Sequence, residues 1–171
     1  MRNIIFLLFF ILSINIYSQN KIFDKGRLKI TREVYLIDSA DINVLDSINF
    51  TFKDSIKINA KRFAEKISTQ NLLNKTNTNF QINYFLKNGK LFFIKVEEQS
   101  PNLADLKKHI EYLIIDNEIS DINYYYGMRS CLPLSLDTNI NDQFGYNKNL
   151  TENYMKTYVI KLYEKLKKNF R

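Results

Sequence analysis

FQINYFLKNGKLFFIKV, residues 80–96, is the stretch that decides the fold of this chain. At its centre is Asn88-Gly89, and both residue types accept the positive φ angles of a type I′ turn between two β-prone runs. We therefore predict a β-hairpin whose register is fixed by the turn. The predicted facing pairs are Leu86 with Leu91, Tyr84 with Phe93, and Phe85 with Phe92.

A second hairpin is predicted from His109 to Ile115 and from Ile119 to Tyr126, with Asp116-Asn117-Glu118 as its turn region. Two turn choices that differ by two residues leave its register open, although both keep the same side chains on each face. Pro101 separates the two hairpins, because it cannot donate a backbone hydrogen bond to a ladder. Together these runs predict a four-stranded antiparallel meander over residues 80–129.

Two helices are expected to flank this meander. A segment that begins at Asp54 or Ser55 and ends near Asn71 has apolar residues at helical spacing. Residues 151–170 carry a longer apolar stripe, with Asn149 and Glu152 placed like a capping box. The apolar positions are Ile56, Ala60, Phe63, Ala64 and Ile67 in the first segment, and Tyr154, Tyr158, Leu162, Leu166 and Phe170 in the second. The predicted fold class is α+β, with the meander packed against two or more helices.

Residues 20–53 give a weaker pattern. Leu28, Ile30, Val34 and Leu36 alternate like a strand, as do Ile48, Phe50 and Phe52. Residues 39–45 between them fit a turn or a short helix.

The first 18 residues have the layout of a secretory signal peptide. Arg2 precedes an apolar run over residues 4–12, and the small residue Ser18 supplies a cleavage site. We therefore expect export to the periplasm or out of the cell, with residues 19–171 forming a single α+β domain. A retained membrane anchor is the alternative, but residues 4–16 are shorter than the roughly 20 apolar residues that a spanning helix needs. No transmembrane segment is thus predicted in the mature chain.

The chain has one cysteine, Cys131, so no internal disulfide can form. Free cysteine is among the most buried residue types, and burial is the favoured interpretation. An intermolecular disulfide is the alternative.

The formal net charge is +7. The positive excess lies in residues 55–66 and 151–171, which were assigned above to helices. Solvated helix faces explain it simply, and a basic surface for anionic partners is the alternative. No nucleic-acid partner is expected.

Groups suited to catalysis are few. His109 is the only histidine, and neither a Gly-x-Ser-x-Gly elbow nor a glycine-rich phosphate loop is present. A structural role for His109 is favoured, while a small hydrolase that uses His109 is the alternative. Enzymatic activity is therefore left open, with a noncatalytic role preferred, and no cofactor is predicted.

No metal site is predicted either. Residues 137–142 begin like a calcium loop, with oxygen ligands at alternate positions. The pattern then fails, because Asp142 stands where the sharp turn needs glycine and Lys148 stands where a bidentate glutamate is required. A polar loop is the better interpretation.

Tyr124-Tyr125-Tyr126 and Arg129 are the remaining lead. Alternation places Tyr124 and Tyr126 on one sheet face and Tyr125 on the other. If the sheet is not fully covered, Tyr124, Tyr126 and Arg129 form a surface suited to a protein or glycan partner, because rings supply contact area at low entropy cost. Core packing of these rings is the alternative.

The motifs suggest no particular family. The leading hypothesis is an exported, noncatalytic interaction module of the cell envelope or secreted fraction, as a monomer or weak oligomer. The alternatives are the His109 hydrolase and a peripheral binder of anionic surfaces through the basic helices.

Overall fold

A computed structural model describes residues 26–40, 43–73, 76–103, 105–127 and 140–170. The chain divides into two compact units, residues 1–40 and residues 41–171. In the first unit, residues 26–40 form helix α1. The strand expected from Leu28 to Leu36 is therefore wrong: Ile30, Val34 and Ile37 also fall at helical spacing, and the chain follows that period. The predicted signal peptide, residues 1–18, lies outside the described residues.

The second unit contains one sheet of seven strands, and their order in space is their order along the chain. The strands are β1 (Asp46–Phe52), β2 (Ile56–Arg62), β3 (Lys66–Leu73), β4 (Thr78–Lys87), β5 (Lys90–Gln99), β6 (Lys107–Ile115) and β7 (Glu118–Gly127). Every neighbouring pair is antiparallel. The expected four-stranded meander is therefore wrong, because three further strands precede residue 78.

The helix predicted between Asp54 and Asn71 is the source of that error. Its residues form β2, a turn and β3. Ile56, Ile58 and Ala60 are buried while the residues between them are exposed, which is the alternation of a strand. The helical spacing of the apolar residues was coincidental, since the turn at residues 63–65 separates two strands that each have period two.

Both predicted hairpins are confirmed, with one correction. Positive φ angles occur at Asn88, Gly89, Asp116 and Asn117, so each turn has two residues. Leu86 faces Leu91 as predicted, but an irregularity next to this pair leaves Phe92 unpaired. Because that bulge adds one residue to β5, Tyr84 faces Ile94 and Phe85 faces Phe93 instead of the predicted partners.

Two further helices follow the sheet, the one-turn α2 (Ile140–Gln143) and α3 (Glu152–Asn169). The C-terminal helix was predicted correctly, although its N-cap is Thr151 instead of Asn149: the Thr151 hydroxyl accepts a hydrogen bond from the Tyr154 amide. The strand predicted over Ile48 to Phe52 is also confirmed, as β1.

Helix α3 packs on one face of the sheet, which we call the helix face. Its buried residues form one core with apolar side chains from β2 to β6. From the helix these are Met155, Tyr158, Val159, Leu162, Tyr163 and Leu166, and from the sheet they include Ile58, Ile82, Tyr84, Ile94, Ile110 and Tyr112. Burial of this apolar area is the main stabilising contribution to the fold. The opposite face, which we call the second face, carries the alternate residues of each strand.

Candidate functional site

A continuous row of polar side chains crosses the second face from β1 to β7. Cross-strand pairing aligns these residues one opposite the next, and we call them the polar row. They are Asn49, Asn59, Gln70, Gln81, Glu97, His109 and Tyr125. Because facing residues in an antiparallel sheet have side chains within contact distance, the register itself assembles this row.

The β1 to β4 part of the row consists of neutral amides. The Asn59 side-chain amide donates to the Asn49 side-chain oxygen at 2.8 Å, and the Gln70 amide donates to the Gln81 oxygen at 3.2 Å. Asn49, Asn59 and Gln70 are exposed, and Gln81 is half-buried. Each amide carries two donor hydrogens and an acceptor oxygen, so these residues keep hydrogen-bonding capacity for a ligand beyond the bonds they make to each other.

Two cavities lie along this part of the sheet and share Gln70 and Asn79. The larger has a volume of about 650 Å³ and is lined by six polar and three apolar residues, with apolar atoms making up most of its surface. The smaller, of about 200 Å³, continues to Glu97 and Lys107. The larger cavity is bordered by Asn49, Phe50, Thr51, Lys57, Ile58, Asn59, Gln70, Leu72 and Asn79. Together the cavities give the second face a concave region of the size in which small ligands bind.

At the other end of the row, Glu97 contacts His109 and two lysines. Its carboxylate lies 3.2 Å from His109 Nδ1 and 3.1 Å from Lys95 Nζ. Nδ1 is buried, and its contact with Glu97 is not well aligned for a hydrogen bond. The imidazole, followed by Lys95 and Lys107, holds the pKa of Glu97 at about 2, although partial burial opposes this.

His109, the predicted alternative catalytic residue, is enclosed between β5 and β7. Its ring stacks on Tyr125 with centroids 4.6 Å apart, and only 8% of the residue is exposed. Its Nε2 lies against the backbone of Gly127, where a Cβ atom would come within 2.8 Å. Both ring nitrogens are thus in contact with the sheet itself, in the arrangement expected of a histidine that packs as part of the face.

Tyr125 contacts both His109, through its ring, and a neighbouring carboxylate, through its hydroxyl. The hydroxyl donates to Glu111 at 2.8 Å, and the Asn123 amide donates to the other oxygen of Glu111 at 3.3 Å. Burial, together with this hydrogen bond, raises the pKa of Tyr125. The β5 to β7 end of the second face is therefore a network of ionisable side chains in contact with one another, in contrast to the neutral amides at the β1 to β4 end.

Tyr124 and Tyr126, predicted as binding residues, point to the helix face, opposite to Tyr125 as alternation requires. Each is still more than a third exposed, at 40% and 38%. The Tyr126 ring packs against Tyr146 at 5.8 Å, and burial raises the pKa of Tyr124 to about 12. Arg129, the third predicted member, lies outside the described residues, so this surface stays a prediction.

Beside these tyrosines is a buried ion pair on the helix face. Lys108 Nζ lies 3.5 Å from Glu98, and the backbone amide of Asn147 donates to the same carboxylate at 3.1 Å. The Tyr146 ring lies over the Lys108 ammonium, 5.7 Å from it. These contacts hold the segment after α2 against the sheet, which is a structural role.

The remaining sequence candidates give little further chemistry. Cys131 and residues 137–139 of the calcium-like segment lie outside the described residues, and Asp142 pairs with Lys148 at 2.7 Å. Within the described ranges, no three His, Cys, Asp or Glu side chains are grouped so that they could hold a metal ion. No helix in the part of the chain that the structure describes has the length and hydropathy to cross a membrane.

The amide part of the polar row was missed at the sequence level. Ile56-Lys57-Ile58-Asn59-Ala60-Lys61 alternates strictly between apolar and polar residues, and this is the signal that could have revealed it. Comparisons of the chain with protein-family models, curated proteins and solved structures found no match. The site must therefore be interpreted from its own geometry.

Proposed function

We propose that this chain is an exported, noncatalytic binding module of the cell envelope or secreted fraction, and that its ligand occupies the second face of the sheet. The observation that carries the proposal is the concave region lined by Asn49, Asn59 and Gln70. These side chains donate and accept hydrogen bonds but do not titrate near neutral pH, so they suit recognition better than proton transfer.

Export is part of the proposal and rests on the sequence alone. The basic Arg2, the apolar run over residues 4–12 and the small Ser18 support a signal peptide. N-terminal sequencing of the protein recovered from each cell fraction tests this. We expect material that begins near Gln19 outside the cytosol, and intact Met1 on cytosolic material would contradict export.

The binding role is tested with a double variant of the amide row, Asn59→Ala with Gln70→Ala. Tagged exported protein and the variant are compared on a glycan array and in pull-downs from the envelope fraction. We expect a specific ligand that the variant loses, while the melting temperature is unchanged because both side chains are exposed. A ligand bound equally by the variant would show that the second face is not the site.

A second candidate function is a small hydrolase that uses His109. The contact with Glu97 favours it, because a carboxylate beside an imidazole is a common way to orient a catalytic base. His109→Ala would then abolish hydrolysis of ester and glycoside test substrates. Equal activity, or none in either protein, would leave His109 with only its packing role.

A third candidate is a peripheral binder of anionic surfaces. Residues 55–66 cannot contribute a basic helix, since they are strand and turn, but α3 exposes Lys156, Lys161, Lys165 and Lys168. Salt-dependent binding to liposomes that contain anionic lipid, reduced in Lys165→Gln with Lys168→Gln, would support this function.

A further inference from the structure

The β1 to β4 half of the second face carries positive charge that nothing described neutralises. Lys57 and Lys61 lie on this face of β2 and are both exposed. Neither lysine makes an ion pair or a side-chain hydrogen bond with any residue that the structure describes. Lys57 borders the larger cavity directly.

No carboxylate occupies this half of the face among the described strand residues. The second-face positions of β1 to β4 are Ser47, Asn49, Thr51, Lys57, Asn59, Lys61, Lys66, Ser68, Gln70, Leu72, Asn79, Gln81, Asn83, Phe85 and Lys87. The nearby Asp54 lies in the turn before β2, outside these strand positions, and accepts a hydrogen bond from the Tyr154 hydroxyl of α3 at 2.8 Å. Asp46 accepts from the Ser47 amide. The charged side chains at these positions are therefore all lysines, which gives this part of the face a local excess of positive charge.

We infer that the second face binds an acidic polysaccharide, an inference that rests on the binding role proposed above. The row of amides offers paired donors and acceptors along the cavity, and sugar hydroxyls can satisfy both. Lys57 and Lys61 are four residues apart in an extended strand, so their Cα atoms are about 13 Å apart. An extended chain with repeated carboxylate or sulfate groups can reach both ammonium groups while its hydroxyls contact Asn59 and Gln70.

A protein partner fits this half of the face less well. Protein interfaces are anchored by large aromatic or aliphatic side chains in desolvated pockets. The large hydrophobic residues exposed in the second unit lie elsewhere, at Val44, Leu45, Ile115, Tyr124, Tyr125 and Tyr126. Phe50, Ile58 and Leu72 contribute apolar surface to the cavity, but none of them is an exposed anchor. The amides, the Thr51 hydroxyl and Lys57 around them can bind the hydroxyls and anionic groups of a hydrated polymer.

Polygalacturonate and its fully methyl-esterified form are the probes that test the charge requirement, since they share a backbone and differ in their carboxylates. Retention of the exported protein is measured on each resin at physiological salt. We expect binding to polygalacturonate alone, weakened about tenfold in Lys57→Gln with Lys61→Gln. The matched control, Lys165→Gln with Lys168→Gln on α3, removes the same charge from another surface and is expected to bind within about twofold of the wild type.

Three results would overturn the inference: no retention on polygalacturonate, equal retention on the methyl ester, or an equal loss in the α3 control, which would indicate net charge alone. Failure of the proposed function is distinguishable. Suppose that the lysine variant binds like the wild type while Asn59→Ala with Gln70→Ala loses its ligand. The face then binds a neutral ligand, and only the inference that the ligand is acidic is wrong.

Discussion

Glu97 and Glu98 are consecutive residues of β5, yet they lie in opposite electrostatic environments. Glu97 points to the second face, where His109 and Lys95 hold its pKa at about 2. Glu98 points to the helix face, where burial raises its pKa although Lys108 and the Asn147 amide partly offset this. The same side chain is thus stabilised as an anion on one face and destabilised as an anion on the other. The face on which each of these glutamates lies therefore determines the direction in which its pKa is shifted.

The two faces of the sheet also differ in the side chains that they carry. The helix face supplies the apolar core with α3, and some of its polar groups bond to each other, as when Asn71 donates to Thr69 Oγ1 at 2.8 Å. The second face keeps amides and lysines exposed at β1 to β3. Stability should therefore depend on the helix face and ligand binding on the second face, and single substitutions can test that separation.

The largest effect is expected from Leu162→Ala on α3. Leu162 is fully buried in the core of the helix face, so its truncation removes apolar contacts and leaves a cavity. We expect the free energy of unfolding to fall by about 3 kcal/mol, measured by urea denaturation. The adjacent exposed residue provides the control, since Lys161→Ala should change it by less than about 0.5 kcal/mol. Equal effects of the two variants would mean that α3 does not pack as described.

A smaller loss is expected from Gly127→Ala at the end of β7. The added Cβ atom would lie 2.8 Å from His109 Nε2, and the imidazole cannot retreat freely because it stacks on Tyr125. We expect destabilisation of about 1–3 kcal/mol. Combining it with His109→Ala removes the clash, so the double variant should be more stable than the sum of the single effects predicts. Strict additivity would contradict the described packing of His109.

How far these features follow from the sequence depends on local signals. Asn88-Gly89 specifies a two-residue turn by itself, and the stripe through Leu162 specifies α3, so those elements could be predicted. The second hairpin could be located, but its turn region at residues 116–118 left the register open. Strand β3 could not, because Thr69 and Asn71 occupy buried positions and hide its alternation. Polar residues at core positions are explained only by partners on other strands and on α3.

The site was harder to predict than the fold for the same reason. The polar row joins residues from Asn49 to Tyr125, and no local pattern relates such distant positions. Its alignment also depends on the bulge at Phe92, which shifts β5 by one residue relative to the register predicted from the turn. Without that shift, Val96 would face Gln81, and Glu97 would leave the row to face Phe80 on the helix face.

Acid titration should separate the two glutamates. The pKa of Glu97 is lower in the folded protein than in the unfolded chain, so its stabilising contribution is present above about pH 5 and is lost as the pH falls towards about 2. The raised pKa of Glu98 has the opposite sign, because its protonation favours the folded state. We expect Glu97→Gln to reduce the loss of stability in acid by about 1–2 kcal/mol, measured by urea denaturation from pH 7 to pH 3.

Glu98→Gln is the matched comparison for that titration. It removes a group whose protonation favours the folded state, so the loss of stability in acid should become steeper than in the wild type. If both variants changed the acid response in the same direction, the two carboxylates would not lie in opposite environments.

The smallest effect on stability is expected from Gln70→Ala, at the centre of the polar row. Its side chain is exposed and donates one hydrogen bond, to Gln81 at 3.2 Å, which water can replace. The free energy of unfolding should change by less than about 0.5 kcal/mol, by urea denaturation. A loss near that of Leu162→Ala would mean that the amide row is retained for folding. A negligible loss, combined with lost ligand retention in the Asn59 and Gln70 double variant, would assign these amides to binding, because a group that contributes little to stability is then free to be selected for recognition.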